Sequence, residues 1–136
     1  MTSLAFGVLG VARFGAALAR RPLQTCALDP TTRGAFLASA ARRGWARHET
    51  RDAVAKQFRF DNFSEAWGFM SRIALFSEAL DHHPEWSNVY GTVDVVLTTH
   101  SAGGLSNKDE AMADFMDLIY APETGTRPGR PENPSK

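Results

Sequence analysis

The pattern of apolar and polar positions alternates between a period near 3.6 and a period of two, and the switches divide the chain into elements. Asp29 before Pro30 supplies an N-cap and a first-turn proline, and Phe36, Leu37 and Ala40 follow at helical spacing until Gly44. This predicts a first helix over Pro30 to Arg43. From Trp45 to Glu49, and again from Val54 to Phe60, the period becomes two. Two strands are expected there, the second with Val54, Phe58 and Phe60 on one face and Lys56 as an exception on that same face. Asn62 is placed to cap a long helix in which Phe63, Trp67, Met70, Ile73 or Ala74, Ser77 and Leu80 recur every three to four residues. Pro84 closes that stretch. Trp86 to Tyr90, a turn at Gly91, and Thr92 to Thr99 read as a third and fourth strand, the last rich in Val and Thr. Ser106 with Asp109 three residues on resembles a capping box, opening a final helix that carries Met112, Phe115, Leu118 and Ile119.

The order is therefore α-β-β-α-β-β-α. Short connections between consecutive strands favour antiparallel pairing, so the expected fold class is α+β, a four-stranded antiparallel sheet with helices packed on one face. Two strand-strand-helix units hint at pseudo-symmetry, without an internal repeat of fixed period.

Composition bounds what such a fold serves. At 136 residues the chain fits one domain with modest tails, and 15 basic against 15 acidic residues leave no net charge. No strong basic field exists to draw nucleic acid or anionic lipid. A single cysteine, Cys26, excludes an internal disulfide and any CxxC zinc site, and fits a reducing compartment. No run of 18 apolar residues is free of charge, so no membrane span is expected. Residues 1–27 form an N-terminal extension, whose first 25 residues hold Arg13, Arg20 and Arg21 and no acid. Leu4 to Ala12 precedes the first arginine, which argues against a secretory signal. An organelle presequence and a disordered or loosely helical extension both remain open, so the expected location is cytoplasmic, or mitochondrial if the leader is a presequence. Residues 28–121 are read as the domain, and 122–136, with Pro122, Pro128, Pro131 and Pro134, as a disordered tail.

Three of the four histidines fall at element ends, where pockets form: His82 and His83 where the long helix stops, His100 where the fourth strand stops. Pro84 biases His83 toward extended backbone, so the two adjacent imidazoles are expected to diverge and line two walls of a cleft. Glu78, four residues before His82, is expected to stack on one helix face with it and orient or charge-stabilise an imidazole. Plainer accounts stand beside these. A His-His pair before proline also complements a helix terminus, Glu78 is equally a solvated helix residue, and His100 suits a buried carbonyl. Phe63, Trp67 and Trp86 read first as core. A zinc site built from His82, His83, His100 and Glu78 has the right ligand types, but consecutive histidines rarely reach one tetrahedral centre. No base is predictably near Cys26, and no phosphate-cradling glycine motif is present.

The string Glu78-x-x-x-His82-His83-Pro84-x-Trp86, followed by Val89-Tyr90, Thr99-His100 and Gly104-Leu105-Ser106-x-x-Asp109, resembles the signature of the pterin-4a-carbinolamine dehydratases, a family that includes a dimerisation cofactor of a hepatocyte homeodomain factor. Phe58-x-Phe60-x-x-Phe63 and Gly68-Phe69-Met70-x-Arg72 match the same family, and the likeness extends over about Leu28 to Tyr120. The resemblance implies dehydration of 4a-hydroxytetrahydrobiopterin to the quinonoid dihydropterin, which recycles the cofactor of aromatic amino acid hydroxylases. It implies no metal and no cofactor of the enzyme's own. It also implies His82, His83 and His100 as the catalytic histidines, with Glu78, Asp81, Pro84, Trp86 and Asp109 around the pterin. Imidazole, with a reference pKa near 6.5, serves as acid or base at neutral pH. Ser87, where an aromatic is commoner, and Gly91-Thr92, where Asn and a basic residue are common, depart from the pattern. They bear on substrate side-chain preference and rim charge.

A function of another class stands beside this one. The family includes a transcriptional coactivator and assembly factors, so the chain is also readable as an interaction module. Helix 62–80 is the expected contact element for a homo-oligomer, dimer or tetramer, because Phe69 and Phe76 fall off its main apolar stripe. An aromatic amino acid hydroxylase is a further implied partner.

Overall fold

A computed structural model describes residues 23–120. The expected leader lies outside the described residues as far as residue 22, and the expected tail, 122–136, does so entirely. Along the described chain run α1 (Pro30–Arg42), β1 (Ala46–Arg47), β2 (Val54–Arg59), α2 (Phe63–Leu80), β3 (Glu85–Val89), β4 (Thr92–Leu97), a 3-10 turn at His100–Ala102, and α3 (Asn107–Ile119). The strands form one antiparallel sheet in the order β1-β2-β4-β3. The two strand-strand-helix units thus meet at β2 and β4, which makes the pseudo-symmetry visible in the strand order.

Alternation sets the faces of the sheet. Val54, Phe58, Val93, Val95 and Leu97 are buried toward the helices, while Gln57, Arg59 and Asp94 lie on the open face. Pairing Val54 with Leu97 and Phe58 with Val93 keeps these sets in register, since a one-residue slip would expose every core side chain. Lys56, the apparent exception, does face the core side. Its Nζ donates to Asp117 Oδ1 and to the Arg43 carbonyl, both at 2.6 Å, and lies 4.9 Å from the Phe58 ring centroid. Asp117 Oδ2 accepts from Trp45 Nε1 and Arg43 Nη1, so the buried ammonium has both charge and hydrogen-bond partners.

Two expectations are corrected here. The first strand is Ala46–Arg47 rather than Trp45 to Glu49, because the chain turns at residues 48–53, where His48 donates its amide to the Ala53 carbonyl. The core stripe of α2 is Ala66, Phe69, Ile73, Ser77 and Leu80, so Ile73, Ser77 and Leu80 face the core as expected, while in the first two turns Ala66 and Phe69 take the places expected for Phe63, Trp67 and Met70. Phe69 is fully buried and packs on Phe58 and Phe60, whereas Phe63 and Trp67 are 47% and 55% exposed. Phe69 and Phe76 therefore face the molecule's own core. The helix's outward apolar residues are Phe63, Trp67 and Leu75.

At the β3–β4 turn the left-handed residue is Tyr90, φ 52°, rather than Gly91. Gly91 is required for another reason: its carbonyl accepts from Phe60 N, and a Cβ there would overlap the Phe60 carbonyl oxygen. Upstream of α1, Ala27 bridges to Ser106 and Asn107 bonds the backbone of Cys26 and Gln24, so residues before Leu28 are already fastened to the start of α3.

Candidate active site

The end of α2 sets the first two histidines. Asp81 adopts the left-handed conformation, φ 51° and ψ 50°, and donates its amide to the Glu78 carbonyl, while His82 N donates to the Ser77 carbonyl at 3.1 Å. These two bonds make a Schellman cap with aspartate in the position glycine usually takes. Lys108, from the first turn of α3, donates Nζ to the Asp81 carbonyl at 2.8 Å and holds that cap in place. The left-handed residue breaks the helical period, so His82 turns under the helix end toward α3 and His83 continues outward.

Each of the three histidines has its Nε2 tied to a different carboxylate. His82, 8% exposed, bonds Asp109 Oδ1 at 2.8 Å, and Asp109 is completely buried. His83 bonds Glu78 Oε1 at 2.9 Å, and His100 bonds Glu85 Oε1 at 3.2 Å. A carboxylate only accepts, so each Nε2 carries the proton and Nδ1 is left as the second working nitrogen. The Asp109 carboxylate also takes, on Oδ2, the Ser106 amide at 2.8 Å and the Thr99 hydroxyl at 2.7 Å. With its proton spent on Asp109, the Thr99 oxygen accepts from Ser106 Oγ at 2.6 Å, and Ser106 Oγ accepts from Lys108 N. The capping box of α3 and the support of His82 are thus one network, and a fully satisfied buried network is rigid.

Glu85 belongs to a second chain of contacts. Arg51 Nη1 donates to Glu85 Oε1 at 2.9 Å and its Nη2 to Oε2, and this hydrogen-bonded guanidinium holds the Glu85 carboxyl below the ordinary carboxylate range. Beneath Glu85 the β1–β2 turn is fixed by Asp52, whose carboxylate accepts from Arg33 and from Leu105 N. The hydrogen-bonded Arg33 likewise holds the Asp52 carboxyl low.

All three imidazoles open on a single cleft of about 380 Å³, with Asp81, Thr99 and Lys108 also in its wall. That volume lies within the range of small-molecule sites. Among the described residues no group of three His, Cys, Asp or Glu side chains is arranged to hold a metal ion. Likewise no described helix is long and apolar enough to cross a membrane.

The family model for pterin 4 alpha carbinolamine dehydratase matches residues 27–119. The chain belongs to that family. A relative from Bordetella avium, which bears the provisional name pterin-4-alpha-carbinolamine dehydratase, is 61% identical over 77 residues, 57% of this chain and 71% of its own. A relative from Ruegeria pomeroyi with the same provisional name is 54% identical over 92 residues, 68% of this chain and 95% of its own. Among solved structures, a transcriptional coactivator/pterin dehydratase from Brucella melitensis superposes with a TM-score of 0.64 at 41% identity, covering 70% of this chain and 99% of that one. Its likeness agrees with the α+β fold and four-stranded antiparallel sheet described above.

Within this dehydratase-family fold, His82, His83, His100 and Asp81 line the cleft. Asp109 lies behind His82 and bonds its Nε2. Glu78 reaches the site only through His83, not His82 as its i,i+4 spacing implied, because the left-handed Asp81 ends the helical period between them. Pro84 and Trp86 are outside the cleft wall, and Trp86 packs against the core from β3, paired with Val95. Sequence reasoning passed over Lys108, Glu85 and Arg51, and it quoted Thr99 in a motif without giving it a place in the site. Lys108 adjoins a residue singled out by motif, Asp109. Glu85 and Arg51 are 34 residues apart and gave no local signal.

Proposed function

We propose that the chain removes water from a 4a-hydroxytetrahydropterin to give the quinonoid dihydropterin, by proton transfer among His82, His83 and His100. The observation that carries this reading is the convergence of three imidazoles on one cleft, each with Nε2 held by its own carboxylate. In the reaction the C4a–O bond breaks and the oxygen departs as water after taking a proton. The N5–H gives its proton to a base, and that electron pair closes the N5=C4a double bond. Hydroxide is a poor leaving group, so an acid at the oxygen and a base at N5 are both required. His82 suits the acid: the buried Asp109 carboxylate takes its Nε2–H and fixes the ring, leaving Nδ1 as the atom that passes a proton. His83 and His100, on the solvent-open rim, suit proton removal and the holding of the ring.

The product feeds reduction back to tetrahydropterin, which places the chain in cofactor recycling for aromatic amino acid hydroxylases. Stopped-flow absorbance on synthetic 4a-hydroxytetrahydropterin tests the reading. The parent protein is expected to accelerate the decay, and His82→Ala to lose about 10²- to 10⁴-fold in kcat. A background rate unchanged by the parent protein would overturn it.

A second reading rests on a separate observation, the outward Phe63, Trp67 and Leu75 of α2. A stripe of that kind suits a homo-oligomer built through residues 62–80, and the Brucella neighbour's name pairs coactivator with dehydratase. An interaction role added to catalysis fits both, because all three histidines are retained.

A further inference from the structure

We propose that the β1–β2 turn positions His100 for the chemistry, with Glu85 as the positioning residue and Arg51 and Asp52 as the anchors that hold it. The role in catalysis rests on the dehydratase reading above; the positioning itself does not. His100 is 81% exposed, and an imidazole that open samples several rotamers unless something holds it. Its hydrogen-bond partner is Glu85, and Arg51 engages both oxygens of that carboxylate, the fork geometry that fixes a carboxylate in plane as well as in place. The next residue in the turn, Asp52, bonds residues on either side of the His100 turn. Asp52 accepts Thr98 Oγ1 on its carbonyl at 2.9 Å and Leu105 N on its carboxylate at 3.0 Å, so its two contacts bracket the 3-10 turn that begins at His100. The fit is close: a Cβ at Gly104 would overlap Asp52 Oδ2. Two consecutive residues, remote from the histidine motif in sequence, thus hold the carboxylate that His100 bonds and the chain that flanks its turn.

The arrangement makes a prediction of opposite signs. His100 and Arg51 share the Glu85 carboxylate. Removing the Glu85 charge lowers the His100 titration midpoint, and removing Arg51 leaves the whole charge to His100 and raises it. The other titratable or charged groups facing His100 across the cleft are Asp81, His82, His83 and Lys108, and neither substitution changes them.

The test is NMR titration of the histidine ring protons in the full chain, for the parent, Glu85→Gln and Arg51→Met, alongside kcat and KM on 4a-hydroxytetrahydropterin. The expected midpoint of His100 falls in Glu85→Gln and rises in Arg51→Met, each by a few tenths to about one pH unit, with His48 and His82 unmoved. kcat is expected to drop about tenfold in each, with KM changed less. His100 midpoints that stay at the parental value, or move the same way in both variants, overturn the clamp. Opposite shifts with parental kcat overturn its catalytic role. Failure of the dehydratase reading is separately visible, as a parent protein without activity whose His100 still titrates with the two opposite shifts.

Discussion

Asp109 concentrates two roles in one carboxylate, and the consequences are sharpest at that residue. Oδ2 caps α3 through the Ser106 amide and takes the Thr99 hydroxyl, while Oδ1 receives His82 Nε2–H. Three donors converge on a group with no exposure to water. Asparagine keeps the shape but turns one acceptor into a donor, which then faces either the Ser106 amide or the imidazole N–H. Asp109→Asn is therefore expected to cost about 1–3 kcal/mol of stability, read by urea unfolding, because a buried donor is left without a partner. It is also expected to lower kcat by about 10²-fold or more, since His82 loses the carboxylate that fixes its ring. Ser106→Ala serves as the control: it weakens the cap by about 0.5–2 kcal/mol and leaves the His82–Asp109 bond in place, so kcat should change far less. Equal losses of kcat in the two variants would show that Asp109 acts only through the helix cap.

At the level of elements, α2 shows what periodicity settles and what it leaves open. Its ends were legible, because Asn62 does cap it, accepting from Glu65 N, and the chain does leave the helix before Pro84. Its phase in the first two turns was not. There Phe63, Trp67 and Met70 make one stripe and Ala66 and Phe69 another, both running on into Ile73, Ser77 and Leu80, so spacing alone cannot choose between them. The choice is made by the sheet: Phe58 on β2 and Phe60 just after it supply ring contacts at 4.8 and 5.1 Å for Phe69 and none for Trp67. The site divides the same way. The histidines were legible because they sit at element ends, but their carboxylate partners depend on the left-handed Asp81 and on contacts that join distant strands and turns. Phe69→Ala is accordingly expected to cost about 3–5 kcal/mol in thermal or chemical unfolding, and Trp67→Ala in an isolated chain to cost well under half of that. The reverse ranking would restore the stripe expected from sequence.

At the scale of the whole molecule, acid and self-association probe different surfaces. The carboxyls of Asp29, Asp52 and Glu85 are all held low in the folded chain, by Thr32, Arg33 and Arg51 hydrogen bonds respectively. A depressed folded pKa adds stability above the unfolded value, near 4, and that stability is lost as pH falls through the folded values. Tm should therefore be flat from neutrality to about pH 5 and fall below pH 4, with Asp52→Asn lowering the plateau and shallowing the fall. Self-association draws on the other face. Phe63 and Trp67 stack on each other 5.8 Å apart and, with Leu75 at 75% exposure, leave α2 apolar on the side its own core does not use. Apolar area left in water is worth about 25 cal/mol per Å² on burial, and a second copy of the same helix supplies a self-complementary cover. Sedimentation at micromolar concentration is expected to find a dimer or larger species. Trp67→Glu is expected to give a monomer with unchanged circular dichroism, because the substituted position contributes little to the core. Since the cleft lies at the far end of α2 from Trp67, that monomer should keep its histidine titrations. A Trp67→Glu chain that stays associated would place the interface elsewhere, and a parent chain that sediments as a monomer would leave the stripe to a different partner.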